Sequence, residues 1–131
     1  MKHVLVGILI TAIITTLMAC GTEKEAMASY QQVSTNDAVA LMESEKDYII
    51  LDVRTAEEYA QGHIPGAVNI PVETIGDEEI DALPDKEKLI LVYCRSGNRS
   101  KVASARLAEN GYTNIVEFGG INSWTGEIVT D

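Results

Sequence analysis

Leu89-Ile90-Leu91-Val92-Tyr93-Cys94-Arg95-Ser96-Gly97-Asn98-Arg99-Ser100 is the stretch from which the rest of the chain can be read. Leu89 to Tyr93 is an unbroken apolar run, the pattern of a strand buried on both faces of a parallel sheet; a strand wet on one face would alternate. From Ser100 to Asn110 the residues are mostly good helix formers, and Gly111 stands where a left-handed residue would end the helix. Cys94 to Arg99 is therefore expected to be a short strand-to-helix loop at the carboxyl end of a central strand, where open α/β sheets bind their ligands. Successive N–H groups in such a loop can turn inward as an anion-binding nest, reinforced by the positive end of the helix dipole. Arg95 and Arg99 add two guanidinium forks, and Gly97 allows a tight curl. This field is expected to lower the Cys94 thiol from about 8.5 toward neutrality and so favour the nucleophilic thiolate. The plain alternative is an inert buried cysteine at a strand end; the arginines and the glycine around it argue for the anion-binding loop.

The chain has 131 residues, the size of one domain with a short appendage. Its formal net charge of -10 excludes general attraction to nucleic acid or to an anionic membrane surface. The arginine loop would be a small positive site on an acidic body. There are 2 cysteines, Cys20 and Cys94, with no Cys/His grouping at metal-ligand spacing, so neither a zinc site nor an internal disulfide scaffold is expected.

The amino-terminal part differs from the rest. Lys2 and His3 precede an apolar run from Val4 to Ala19, which ends Leu17-Met18-Ala19-Cys20-Gly21. A charged start, an apolar middle of about 15 residues and small residues at the exit describe an export signal. The last five residues resemble the lipobox of bacterial lipoproteins, in which the cysteine is lipidated and becomes the mature terminus. That resemblance implies a signal peptide over residues 1–19, a lipid on Cys20 and a polar tether to residue 29, with the domain over 30–131. Removal of Lys2 with the signal would take the charge of -10 to -11. An uncleaved transmembrane anchor would be short against the about 20 residues of a span and carries Thr11, Thr15 and Thr16; a buried helix would need polar positions at helical spacing. Either membrane reading leaves the domain on the extracytoplasmic side.

Within the domain the expected elements alternate. Gln31 to Val33 reads as a short strand, and Ser34 caps a helix whose Ala38, Leu41 and Met42 share a face. Tyr48 to Val53 is a second strand, and Thr55-Ala56-Glu57-Glu58 is a capping-box sequence opening a short helix. Ala67 to Ile70 is a third strand. The acidic stretch Glu73 to Asp85 has room for one or two short helices on a solvated face. Ile115 to Phe118 is a fifth strand, followed by Gly119-Gly120 and a helical turn that carries Trp124. Alternating strands and helices of this kind give a parallel α/β domain.

Several of these stretches together resemble the rhodanese (thiosulfate sulfurtransferase) homology domain: Cys94 to Ser100, Leu51-Asp52-Val53-Arg54, Glu58-Tyr59, Gly62-His63-Ile64-Pro65-Gly66-Ala67 and Gly119-Gly120-Ile121-Asn122-Ser123-Trp124. The resemblance runs from Tyr30 to Trp124 and implies a five-stranded parallel sheet between helices in a three-layer α/β/α domain. It implies a thiosulfate sulfurtransferase-like activity: Cys94 attacks a sulfane donor and carries the sulfur as a persulfide to cyanide or a thiol, with no metal or organic cofactor. Substrate binding is expected from Arg95, Ser96, Gly97, Asn98 and Arg99, with Arg99 on the donor's sulfonate. By the family pattern Arg95 is expected to pair with Asp52 and brace the loop; Arg54 and Ser100 are further supporting candidates, Ser100 as a helix cap. His63 and Trp124 are read as structural.

Three functions compete on these residues. The leading one is a lipid-anchored sulfurtransferase with a small anionic sulfur donor. A non-catalytic binding module or slow sulfur carrier, which docks on another envelope protein or hands persulfide to it, uses the same loop. A phosphatase or arsenate reductase also uses a thiolate and an arginine, but the phosphatases sharing this fold resemble Cys-x5-Arg, one residue longer than the spacing from Cys94 to Arg99. The shorter loop is better sized for a sulfur atom than for a phosphoryl group.

Overall fold

The computed structural model describes residues 29–131. The expected signal segment, Cys20 and nearly all of the tether lie outside the described residues. Five strands, β1 (Gln31–Gln32), β2 (Tyr48–Asp52), β3 (Val68–Asn69), β4 (Leu89–Cys94) and β5 (Ile115–Gly120), form one sheet in the order β1-β5-β4-β2-β3. Every pairing is parallel. All six residues of β4 are buried, as the unbroken apolar run demands.

The helices are α1 (Thr35–Ser44), α2 (Ala56–Gln61) and α3 (Asn98–Glu109). Side chains alternate across the sheet, so the core falls into two layers. Ile90, Val92 and Cys94 of β4 join Leu51, Ile115 and the α3 residues Ala103, Leu107 and Ala108 on one face. Leu91 and Tyr93 join Ile50, Val116, Phe118, Ala38 of α1 and Tyr59 of α2 on the other. The three-layer α/β/α fold expected from the sequence is thus present.

The local signals hold at both capped helices. Ser34 Oγ accepts the N–H of Asp37, and Thr55 and Glu58 form the reciprocal capping box. At the far end of α3, Gly111 takes φ +93° and Tyr112 N–H bonds back to the Leu107 carbonyl.

Two expectations are corrected. The acidic stretch forms no α-helix; after a 3₁₀ turn at Val72–Thr74 it runs as an irregular segment. Ile75 and Leu83 tuck into the core, and α3 with the turn after it satisfies carbonyls that a helix would have paired internally. Arg106 donates to Ile75 O at 3.4 Å, and Tyr112 Oη donates to Leu83 O at 2.6 Å. Helix α3 also begins two residues earlier than expected, because Gly97 at φ +114° turns the chain directly into it.

Candidate active site

The carboxyl ends of β2, β4 and β5 meet the amino terminus of α3 at one edge of the sheet. The loop between β4 and α3 is only Arg95 to Gly97. Its path is held from behind by the end of β5 and the 3₁₀ turn Ile121–Ser123 after it: Asn122 N–H bonds to Arg95 O at 3.1 Å, and a Cβ built on Gly120 would lie 2.0 Å from that same oxygen. No side chain fits at position 120, which gives the second glycine of Gly119-Gly120 a packing reason.

Cys94 ends β4 with 1% of its surface exposed. Its Sγ accepts the Gly97 N–H at 3.0 Å and lies 3.3 Å from Ser100 Oγ. Helix α3 has no capping side chain at Gly97. The sulfur takes that place, accepting from backbone N–H groups of the loop and first turn that would otherwise lack a partner. Burial would raise the thiol. Hydrogen bonds from the Ser100 hydroxyl and from the N–H groups of Ser100, Gly97 and Ser96 outweigh it, and the Cys94 pKa falls below its ordinary value.

Ser100 is not the helix cap expected of it. It lies in the first turn of α3, fully buried, and its hydroxyl is surrounded: Glu117 Oε1 at 2.6 Å, Gly97 O at 3.0 Å and Gly119 O at 3.2 Å, besides the thiol. Glu117 escaped the sequence reading. It interrupts the apolar run of β5, points to the α3 face, is 2% exposed and also accepts the Gly119 N–H at 2.8 Å. One acidic residue inside Ile115-Val116-Glu117-Phe118 was the available signal, since a buried acid in a strand needs a partner.

The expected pair of Arg95 with Asp52 does not form. Asp52, at the end of β2, binds Arg54 instead: Nε at 3.0 Å from Oδ1 and Nη2 at 2.7 Å from Oδ2, with the Arg54 N–H also on Oδ1 at 3.0 Å. Arg54 is two residues on along the same edge and its guanidinium folds back without leaving the interior, while Arg95 stands exposed on the loop. Tyr93 Oη donates to Asp52 Oδ2 at 2.7 Å and accepts the Ile64 N–H at 3.1 Å; Arg54 Nη2 donates to Gly62 O at 2.7 Å. Burial pushes the Tyr93 hydroxyl well above its ordinary range. Burial opposes the charge on Arg54, but the bonds from Asp52 raise its pKa on balance. Arg54 therefore supports the fold around the site and does not face Sγ.

Arg99, expected to hold a donor's sulfonate, forms a fork with the Glu58 carboxylate at 2.6 and 2.9 Å. That pair lowers Glu58 from 4.5 to about 2, chiefly through the Arg99 hydrogen bond. Glu58 thus serves twice, in the cap of α2 and as the brace of Arg99. Beside Arg99 an apolar depression is lined by Val72, Val102 and Arg106. Ser96 and Asn98 are exposed at the mouth of the loop, and Gly97 is buried in its curl. His63 lies elsewhere: its ring stacks on Tyr59, Nδ1 is 2.9 Å from Tyr59 O and Nε2 is 2.8 Å from Asp131 Oδ1. Trp124 packs its ring on Phe118.

A buried thiol that accepts loop N–H groups at the carboxyl edge of a parallel sheet defines an α/β domain with its candidate nucleophile at a strand-to-helix junction. The sequence signature of the Rhodanese-like domain matches residues 34–127. The chain belongs to that family. It is 41% identical over 71 residues to the thiosulfate sulfurtransferase PspE of Escherichia coli, covering 54% of this chain and 68% of that one. It is 36% identical over 97 residues to the putative sulfurtransferase YtwF of Bacillus subtilis, covering 74% and 92%. Longer relatives named adenylyltransferase and sulfurtransferase are matched over about a quarter of their length. Among solved structures, a rhodanese-like domain protein from Staphylococcus aureus superposes with a TM-score of 0.67 at 31% identity, over 77% of this chain and 98% of that one.

Proposed function

We propose that this domain transfers sulfane sulfur through a persulfide on Cys94, from a small anionic donor such as thiosulfate to a thiol or cyanide. The observation that carries the reading is the Cys94 sulfur itself, buried and held by the Gly97 N–H at 3.0 Å with a lowered pKa. In the first step the thiolate forms a bond to the donor's outer sulfur, the donor's S–S bond breaks, and sulfite leaves with the electron pair. In the second, the acceptor's lone pair takes the outer sulfur and the bond to Sγ breaks, returning the thiolate. The loop amides and the helix dipole supply fixed donors for the charge in both forms. Relatives that carry sulfurtransferase names support the same chemistry.

Thiosulfate-dependent sulfite release, with cyanide or a thiol as acceptor, tests the proposal directly. Cys94→Ser is expected to abolish it. Absence of any persulfide on Cys94 after exposure to several sulfane donors would overturn it, and hydrolysis of a generic aryl phosphate in place of sulfur transfer would favour the phosphatase reading.

One observation favours a carrier over a fast enzyme. Arg99, the guanidinium next to the loop, already has both arms on Glu58, so an anionic donor must share or displace that carboxylate. Slow turnover with a stable persulfide, seen as one added sulfur by mass spectrometry, is the outcome that reading expects.

The proposed setting is the extracytoplasmic face of the cell membrane, with Cys20 lipidated; it rests on Lys2, the apolar run and the Leu17 to Gly21 exit. Metabolic labelling with a fatty acid should mark the wild type and not Cys20→Ser.

A further inference from the structure

Buried carboxylates in this domain are handled in two ways. Asp52 has a guanidinium; among the described residues Glu117 has only the Ser100 hydroxyl and the Gly119 N–H. The hydroxyl on which Glu117 depends is also the one in contact with Cys94 Sγ. A hydroxyl carries a single proton to donate. While Cys94 is a neutral thiol, the chain runs in one direction: S–H to Ser100 Oγ, and Ser100 O–H to Glu117 Oε1. Once Sγ is a thiolate it needs that hydroxyl proton, and so does the carboxylate.

We infer that Glu117 is a positioning residue that acts on Cys94 through Ser100, the thiolate and the carboxylate competing for one hydroxyl proton, so that Glu117 favours the sulfur-loaded over the empty thiolate form. This rests on the persulfide chemistry proposed above. The balance is closed: ionisation releases the Sγ proton to water, no covalent bond changes and nothing is oxidised. One hydroxyl proton then faces two acceptors, Sγ and Glu117 Oε1, at 3.3 and 2.6 Å from Ser100 Oγ. In the persulfide, Sγ is bonded to the outer sulfur and carries no charge; the charge sits one atom further into the loop, and Ser100 returns to the Glu117 carboxylate. Discharge makes Sγ a thiolate again and restores the competition.

The surroundings do not replace this arrangement. From α3 and α2 come Arg99 and Glu58, which bind each other; the Arg99 charge also acts on Cys94 through space, and Glu73 reaches Arg99 from the 3₁₀ turn. Arg95 is exposed on the loop; β2 brings Asp52 and Arg54, mutually paired; β1 sets neutral Gln32 in register with Glu117. None of these makes a hydrogen bond or ion pair with Glu117 or Sγ.

The experiment is the rate of Cys94 alkylation across pH, which needs no sulfur donor and so separates this inference from the sulfurtransferase reading. Cys20 is replaced by serine throughout, leaving one thiol. The wild-type site should gain reactivity at a higher pH than the same site freed of the competing carboxylate. Glu117→Gln keeps an acceptor for the Gly119 N–H, and its amide can donate to Ser100, which frees the hydroxyl for the sulfur. It should therefore react about tenfold faster at pH 7, the change expected for one pKa unit. With Ser100→Ala in the background, Glu117→Gln should change the rate less than about twofold, because the connecting hydroxyl is gone. After equilibration with a persulfide donor and thiol at a fixed ratio, mass spectrometry should show less loaded Cys94 in Glu117→Gln than in wild type. A Glu117→Gln profile that superimposes on wild type overturns the inference, as does a Glu117→Gln effect that persists in full on Ser100→Ala.

Discussion

Two polar clusters lie side by side at the carboxyl edge of this sheet, and they solve the problem of a buried carboxylate in opposite ways. Asp52, on β2, receives a guanidinium, a backbone N–H and a phenol, so every lone pair has a fixed donor. Glu117, on β5, shares one hydroxyl with a thiol. The first arrangement has nothing left to give and acts as a brace. The second is short of donors by design of its neighbours, and a shortage is what lets a change at the sulfur be felt at the acid. Saturation gives rigidity; shared donors give response.

The comparison can be broken at either cluster. Asp52→Asn leaves Arg54 interior without its counter-ion, and a loss of about 3–5 kcal/mol is expected in denaturant unfolding. The matching Glu117→Gln strands no cation and should cost below about 1 kcal/mol; equal losses at the two positions would erase the distinction. Tyr93→Phe removes the acceptor of the Ile64 N–H and one donor to Asp52, a cost of about 1–3 kcal/mol, with the alkylation profile of Cys94 unchanged. Ser100→Ala should do the reverse: a modest stability change and thiol reactivity at pH 7 lowered about tenfold, since its hydroxyl is among the groups that lower the Cys94 pKa. A smaller effect than that of Asp52→Asn is expected at Glu58. Its pKa falls from 4.5 to about 2 on folding, so its contribution is present above the unfolded value and is lost as pH drops from about 4.5 toward 2. Glu58→Gln should flatten stability over that window by roughly 1 kcal/mol, because the pair keeps 26% and 32% of its side-chain surface in water.

Much of the fold was legible because its signals are local. Leu89 to Tyr93 could only be a strand buried on both faces, Ser34 and Thr55 announce their helices, and Gly111 ends α3. Cys94 at the strand-to-helix junction was readable for the same reason. What escaped depends on which side chains meet across the sheet edge. Arg54 and Arg95 are both plausible partners for Asp52 in sequence, and only the shape of the edge chooses Arg54. Glu58 is visible as a capping residue, and that duty hides its second one on Arg99. The segment from Glu73 to Asp85 has helix-forming composition, yet its Ile75 and Leu83 carbonyls are claimed by Arg106 and Tyr112, which are remote in sequence.

The sulfur of Cys94 stands where a capping side chain would stand for α3, and this makes the first turn of that helix a gauge of cargo. Ionisation strengthens the acceptor under the Gly97 and Ser100 amides, whereas a bond to a second sulfur weakens it. The chemical shifts and hydrogen-exchange rates of those two amides should therefore distinguish thiol, thiolate and persulfide in the unlabelled protein, with no reagent added to the site.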